Sequence, residues 1–409
     1  MCGIIGYSGP KEPLPILISG LSRLEYRGYD SAGVALIDGD NLSIEKKEGK
    51  LSVLKEHLEG TSIKGNIGIG HTRWATHGVP SDVNAHPHAD NANEFAIIHN
   101  GIIENYAELK DDLIQDDYSF ISETDTEVVA VELSRKWNGE LLDTVLDVAK
   151  SLDGTYALVV TSTKQPGTIV AGRMMSPLVL GVGEGEVFLA SDSAAILEYT
   201  NKMIFLENGD FVEINNGNFT LYDIEKNVIT RDIQVIDWEV SEAEKAGHDH
   251  FMYKEILEQA EVIERTIAGR IEKNSTEIPI HLDKAKKFEK IWIVACGTAY
   301  HAGLFGKDLF EKVLGVPVSV ELASEFRYRE PIIGKNDLAI VISQSGETMD
   351  TIAATELLKE NGSHVLALVN VVGSSLARMA DSVFYLHVGP EIGVASTKAY
   401  LGMLVGQLL

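Results

Sequence analysis

The chain has 409 residues, a length that at ~150 residues per domain predicts about two to three domains. Asp plus Glu number 61 against 35 Lys plus Arg, giving a formal charge of −26; such a field argues against nucleic acid and anionic membrane surfaces, which are bound through basic patches. Two cysteines, Cys2 and Cys296, are too few for a disulfide scaffold and fit a reducing compartment, so a cytoplasmic location is expected.

In chain order, residues 1–7 show no basic stretch leading into an apolar run, so no secretory leader is expected. No window approaches the ~18 consecutive apolar residues of a membrane span. Short β-like runs bounded by Gly, Asn and Asp occur at residues 33–37, 68–72, 95–99, 156–160, 179–182 and 211–214, with helical patterns at 125–137 and 141–151. This mixture predicts an α+β domain with antiparallel sheets over residues 2–219. The polar, acidic stretch 220–250 reads as an inter-domain connection. A long helix is predicted from Phe251 to about Glu272, followed by apolar strands at 291–295, 338–343, 365–370 and 383–388 that alternate with helices. Strands apolar on both faces and separated by helices predict a parallel, three-layer α/β domain over 251–409. Residues 397–409 form an apolar helical pattern with no closing cap or strand, which is expected of a fragment or truncated product.

Cys2 is the most informative residue. Once Met1 is removed, its thiol shares a residue with a free α-amine whose reference pKa is about 7.7–8.0, so one residue supplies both nucleophile and general base. Arg73, in His71-Thr72-Arg73-Trp74-Ala75-Thr76-His77-Gly78, is a fixed cation at a strand end, suited to a substrate carboxylate. Asn100 beside Gly101 offers a side-chain amide and a backbone N–H for an oxyanion hole. Asp125 opens a helix, where it caps the helix or binds an ammonium. His71, His77, His86, His88 and His99 invite a metal reading, but no Cys or carboxylate pattern completes a zinc site, and structural hydrogen bonding is the preferred role for His86 and His88.

In the second half, three loops follow or approach strand ends: Cys296-Gly297-Thr298-Ala299, Ser343-Gln344-Ser345-Gly346-Glu347-Thr348, and Val394-Ala395-Ser396-Thr397-Lys398. Hydroxyls and Gly-spaced N–H groups at the carboxyl ends of parallel strands can cradle a phosphate without buried cations, and each loop alone also reads as an ordinary helix cap.

Together, Met1-Cys2-Gly3-Ile4, Leu24-Glu25-Tyr26-Arg27-Gly28-Tyr29-Asp30-Ser31-Ala32-Gly33, His71 to Gly78, Asn84 to His88, His99-Asn100-Gly101-Ile102-Ile103-Glu104-Asn105 and Ser122 to Glu127 resemble the class II glutamine amidotransferase domain of the glutamine–fructose-6-phosphate aminotransferases. The Ser-Gln-Ser-Gly-Glu-Thr loop, Glu391 to Lys398 and Ala323 to Arg329 resemble the first sugar isomerase (SIS) domain of the same family. The resemblance implies an αββα N-terminal-nucleophile fold followed by an α/β SIS domain. It implies that Cys2 attacks the glutamine amide, that Asn100 and Gly101 hold the oxyanion, and that Arg73, Trp74, Thr76, His77 and Asp125 bind glutamine. By the same implication Thr298, Ser343, Gln344, Ser345 and Thr348 contact a sugar phosphate, with Val394 and Ser396 lining its site. Glutamine and fructose 6-phosphate would give glutamate and glucosamine 6-phosphate in a homodimeric parent enzyme without metal or cofactor. Cys296 is then a buried strand-end residue.

Two departures from the family pattern stand out. Ala299 replaces the usual Ser, so a hydroxyl contact is expected to be lost. The family continues into a second SIS domain and a tail that supply an imine-forming lysine, for which Lys398 is no substitute; these 409 residues are therefore expected to hydrolyse glutamine without forming the amino sugar. The alternatives are a non-catalytic glutamine or sugar-phosphate binding module, or another class II amidotransferase such as amidophosphoribosyltransferase.

Overall fold

Alternation along the strands sorts side chains onto opposite faces. In the strand Phe95–Ile103, Ala96 and Ile98 enter one apolar cluster while Phe95 and Ile97 enter another. The computed structural model describes residues 2–61, 63–75, 77–236, 246–271 and 287–409, and for Tyr26 the backbone alone. The chain divides into two units, Met1–Asp237 and Trp238–Leu409.

The first unit holds two antiparallel sheets. The eight-stranded sheet runs in the order Gln234–Val235, Lys202–Phe205, Val179–Val182, Val187–Ala190, Gly3–Ser8, Ile67–Arg73, Ser31–Asp38, Asn41–Glu48. The seven-stranded sheet runs Val228–Ile229, Asn218–Tyr222, Phe211–Asn215, Thr168–Met174, Gly154–Ser162, Phe95–Ile103, His88–Ala89. Ile4, Ile37 and Ile69 of the first sheet meet Ile98, Val159 and Val212 of the second in a shared buried core. Helices Asp125–Arg135 and Leu141–Ala149 cover the outer face of the seven-stranded sheet through Val129, Leu133, Val145 and Leu146. Helix Pro13–Leu24 packs on Gly3–Ser8 and Ile67–Arg73 of the other sheet. The layers are thus αββα, as expected. Truncating one of these inter-sheet isoleucines to Ala would cost about 2–5 kcal/mol.

The expected connection 220–250 is corrected: Val228–Ile229 and Gln234–Val235 add edge strands to the two sheets, and Ile236 is buried, so the first unit runs to residue 236. Residues 237–245 lie outside the described residues.

The second unit is a five-stranded parallel sheet in the order Val318–Leu322, Lys290–Ala295, Asp337–Ser343, His364–Val369, Ser382–Tyr385. Ile291, Ile293 and Ala295 face a layer containing Val262, Ala302 and Met403, while Trp292 and Val294 face Phe326, Ile352 and Leu376. Strand order reverses between Lys290–Ala295 and Asp337–Ser343, and in open α/β sheets ligands bind beyond the carboxyl ends at such a switch point.

Two elements differ from expectation. The helix predicted over 251–272 is two helices, Phe251–Leu257 and Gln259–Ile267, and the chain leaves helical geometry at Ala268 (ψ 130°). Between them stands Glu258, whose carboxylate accepts from Lys398 Nζ at 2.6 Å. The last strand ends at Tyr385 rather than 388, because the Val388 N–H turns to Asn370 Oδ1 at 3.0 Å. No helix among the described residues is long and apolar enough to cross a membrane.

Candidate active site

Cys2 precedes the central strand Gly3–Ser8, beside the carboxyl end of Ile67–Arg73. The Trp74 N–H donates to Cys2 Sγ at 3.2 Å, and Sγ lies 3.5 Å from the Trp74 carbonyl oxygen. Burial pushes the thiol pKa up from its usual value, opposed by the Trp74 backbone contact. A raised pKa keeps the thiol protonated near neutrality, so a base is needed to make the nucleophile.

Gly28 explains part of the Leu-Glu-Tyr-Arg-Gly-Tyr-Asp-Ser run. A β-carbon there would lie 2.5 Å from the Arg73 carbonyl carbon, so only glycine lets this loop lie against the Arg73–Trp74 backbone. Next to it, Asp30 accepts from the Ala75 N–H, while its own N–H donates to the Arg73 carbonyl at 3.1 Å.

Asn100 and Gly101 lie on Phe95–Ile103 of the other sheet, and the Asn100 Nδ2 donates to the Cys2 carbonyl at 3.0 Å. Gly101 has φ +133°, and a β-carbon would meet the Thr155 carbonyl oxygen at 1.9 Å, so the position requires glycine. Residues 98 apart in sequence thus converge on one backbone group.

Arg73 is buried at its strand end, and its Nη2 donates to the His77 and Gly78 carbonyls. Its Nη1 is buried with no partner among the described residues, an unmet cationic donor of the kind that a carboxylate satisfies. Trp74 is half exposed and edges against Tyr29, with ring centroids 5.4 Å apart. His77 edges against Tyr106 at 5.5 Å. Thr76 lies outside the described residues.

Asp125 is not the helix cap. Thr124 takes that position, its Oγ1 accepting the Glu127 N–H, while Glu127 reaches back to the N–H groups of Ile121 (2.9 Å) and Ser122 (2.7 Å). This reciprocal arrangement accounts for most of the Ser-Glu-Thr-Asp-Thr-Glu motif. It leaves Asp125, buried in the first turn, with Oδ2 accepting the Ile103 N–H at 2.9 Å.

Four histidines form a buried group. His71 and His86 rings stack at 4.3 Å, and His88 meets His86 edge-on at 4.7 Å. His86 Nε2 and His99 Nδ1 both lie on Thr126 Oγ1 (2.9 and 3.0 Å), and His88 Nε2 lies 3.1 Å from Thr124 Oγ1. Burial pushes all four pKa values down, His71 to about 3, so the rings are neutral at pH 7. His86 and His88 therefore have hydrogen-bonding roles, and among the described residues no three His, Cys, Asp or Glu are grouped to hold a metal. Sequence reading did not single out Lys46, whose Nζ donates to the carbonyls of Val83 (3.1 Å), Ala85 (2.7 Å) and Pro87 (3.1 Å) and so clamps the loop that carries Asn84 and His86. A lysine in a strand reads as a solvated face, and its acceptors lie on a distant loop.

In the second unit, two of the expected loops meet at the switch point. Thr298 is exposed in the first turn of helix Gly297–Leu314. Ser343 Oγ lies 3.0 Å from Thr348 Oγ1 and accepts the Gly346 N–H at 3.1 Å, and Ser345 Oγ accepts the Glu347 N–H at 3.1 Å. The Gln344 carbonyl accepts the Asn370 N–H at 3.1 Å. Glu347, buried, accepts from the Ser375 N–H and hydroxyl, both at 2.8 Å. Cys296, half buried, lies 4.0 Å from Thr351 Oγ1 at the head of its helix.

The third loop belongs to a different network. Val394 is exposed, and the Ser396 hydroxyl donates to Glu391 at 2.8 Å. Glu391 also accepts the N–H groups of Thr397 and Ala399, and Glu255 accepts those of Ile392 and Gly393 at 2.6 and 3.0 Å. Lys398 is buried against Glu258 and is not a free amine. Among the described contacts none joins Val394 or Ser396 to Ser343 or Thr298.

Comparison with known proteins gives matches to both units. A glutamine amidotransferase domain profile matches residues 56–237, and an SIS domain profile matches residues 284–406. The fold of a B. subtilis glutamine phosphoribosylpyrophosphate amidotransferase, solved with ADP and GMP, superposes with TM-score 0.51, covering 95% of this chain and 91% of that one at 17% identity. Fold and profiles thus define a glutamine amidotransferase unit followed by an SIS unit. Among curated relatives, the glutamine–fructose-6-phosphate aminotransferase (isomerizing) of Caldanaerobacter subterraneus subsp. tengcongensis is 51% identical, over 100% of this chain and 68% of its own length. That of Thermus thermophilus is 47% identical over the same shares. The chain belongs to the glutamine–fructose-6-phosphate aminotransferase family.

Proposed function

We propose that the chain hydrolyses glutamine at Cys2, releasing glutamate and ammonia, and that in the parent enzyme this nitrogen passes to fructose 6-phosphate to give glucosamine 6-phosphate. The observation that carries the reading is the convergence of Cys2 with the Asn100 amide, 3.0 Å from the Cys2 carbonyl, on a strand end whose Arg73 keeps a buried N–H unmet among the described residues. Arg73 Nη1 takes the glutamine α-carboxylate, Asp125 its ammonium, and Trp74, Thr76 and His77 the rest of the side chain.

The α-amine exposed by loss of Met1 accepts the Cys2 proton, and sulfur adds to the glutamine amide carbon. Asn100 Nδ2 and the Gly101 N–H hold the developing oxyanion. The α-ammonium returns that proton to the leaving nitrogen as the C–N bond breaks and ammonia departs, and water then adds to the thioester, releasing glutamate and restoring the Cys2 thiol. This scheme uses no metal or organic cofactor. In the second unit Thr298, Ser343, Gln344, Ser345 and Thr348 hold the sugar phosphate, and Val394 and Ser396 border it. A cytoplasmic location and a homodimeric full-length enzyme accompany this reading. The test is glutamate release by the purified chain: Cys2→Ala abolishes it while the fold is kept, and persistent release would reject Cys2 as nucleophile.

A further inference from the structure

We propose that His71 is a positioning residue for the amide-cleaving step, holding the Asn100 side chain in the one orientation that presents N–H rather than C=O toward Cys2. The inference rests on the reading of Cys2 as nucleophile and Asn100 as oxyanion group.

His71 Nε2 lies 3.1 Å from the His99 carbonyl oxygen and 3.0 Å from Asn100 Oδ1. Both atoms are acceptors, so Nε2 carries the ring proton and Nδ1 the lone pair. The ring cannot rotate away easily. It is fully buried, it stacks on His86 at 4.3 Å, and its strand residue is paired with Ile4 on one side and Gly33 on the other.

An asparagine amide has two orientations related by a half-turn. Here Oδ1 accepts from His71, so Nδ2 is directed to the Cys2 side, where it donates to the Cys2 carbonyl at 3.0 Å. The flipped amide would set two donors against each other at His71. It would also present an oxygen lone pair where negative charge develops, turning stabilisation into repulsion. The charged and titratable groups facing the ring are Arg73, His86 and His99. Burial above all, with His99 and Arg73, holds His71 neutral, which suits a fixed donor.

The test is steady-state glutamine hydrolysis by the full 409-residue chain. His71→Phe keeps a ring for stacking but removes the donor, and kcat is expected to fall about 10²-fold, the scale of losing one oxyanion donor, with KM for glutamine changed less than about twofold. His71→Gln, whose amide nitrogen reaches the Nε2 position, recovers most of kcat; His71→Asn, whose nitrogen falls short, does not. In an Asn100→Ala background, His71→Phe costs no further kcat, because the group it positions is gone. The acid limb of the kcat–pH profile is the same for the native chain and His71→Gln.

An equal kcat loss with or without Asn100, a His71→Gln variant as impaired as His71→Phe, or a shifted acid limb would overturn the proposal. If His71→Phe fails to fold, the Gln and Asn variants and the pH profile decide it. Failure of the underlying reading shows differently: Cys2→Ala or Asn100→Ala would then leave glutamate release intact.

Discussion

The two units place their polar groups by opposite means. Around Cys2, His71, His99 and Asn100 stand on strands of two packed sheets with His86 of a loop and Thr126 of a helix beside them, and the donors and acceptors among these five are neutral. In the second unit the Ser343 hydroxyl is buried at its strand end while those of Ser345 and Thr348 are partly exposed, and the surrounding loops are gathered by buried carboxylates: Glu347 on Ser375, Glu391 on Thr397 and Ala399, Glu255 on Ile392 and Gly393. A paired strand can hold a single donor in a fixed direction, which is what stabilising a transition state needs. A loop that wraps an anion needs its backbone shaped, and a carboxylate that accepts two or three N–H groups does that while its charge is spent internally. Substitutions of the Cys2, Asn100 and His71 set should therefore act on turnover, with Arg73 as the first unit's affinity group, and those in the second unit on ligand affinity.

The largest effect expected is at Cys2. Cys2→Ala reduces glutamate release to background, whereas fructose 6-phosphate binding measured by calorimetry changes less than about twofold. Parallel loss of both would break the division. Next is Arg73→Gln, which removes the guanidinium and with it the Nη1 that lacks a partner among the described residues. A charge-assisted hydrogen bond is worth about 1.5–3 kcal/mol, so KM for glutamine is expected to rise about 10- to 100-fold with kcat little changed. A fall confined to kcat would mean that Arg73 does not hold the substrate carboxylate.

Glu347→Gln tests the other side. The amide keeps the shape but replaces one acceptor facing Ser375 with a donor. The turn carrying Ser343 and Ser345 is expected to loosen, weakening fructose 6-phosphate binding about tenfold, a loss of about 1.4 kcal/mol, with glutamine hydrolysis unaffected. A smaller effect is expected from pH. The buried histidines have pKa values below the ordinary 6.5, His71 at about 3, so the unfolded chain binds more protons. Their contribution to stability is present above pH 6.5 and is lost as pH falls toward the folded-state values. Urea midpoints should drop between pH 6.5 and 4, and His88→Gln should flatten that slope by about one proton.

Much of this was legible in the sequence. Strands such as 95–103 and 154–162 are apolar on both faces and announce themselves, and the two-domain division follows from the change of rhythm. Val228–Ile229 and Gln234–Val235 were hidden because two-residue edge strands carry no period. The helix Phe251–Leu257 is inverted: Met252, Tyr253 and Leu257 are exposed while Lys254 and Glu255 are buried. Glu255 is inside because its partners are backbone N–H groups 137 and 138 residues away, and no local pattern encodes them. The pairing of His71 with Asn100 was hidden for the same reason, since each sits in a recognisable motif on a different sheet.

The smallest effect expected is at Ala299, where the family pattern has Ser and a lost hydroxyl contact was expected. Ala299 is 6% exposed and packs with Ala295, Ala302 and Met403, whereas its neighbour Thr298 is exposed. A hydroxyl here would enter an apolar cluster, with the carbonyl four residues earlier in the chain as its nearest kind of partner. Ala299→Ser should therefore change stability by less than about 1 kcal/mol, because a buried hydroxyl that finds a partner is nearly neutral. It should leave fructose 6-phosphate affinity within about twofold. Calorimetric titration and a thermal melt of the same preparation measure both. A tenfold gain in affinity would place residue 299 on the ligand and show that this loop reshapes on binding, erasing the contrast between a shaped loop and a fixed strand end.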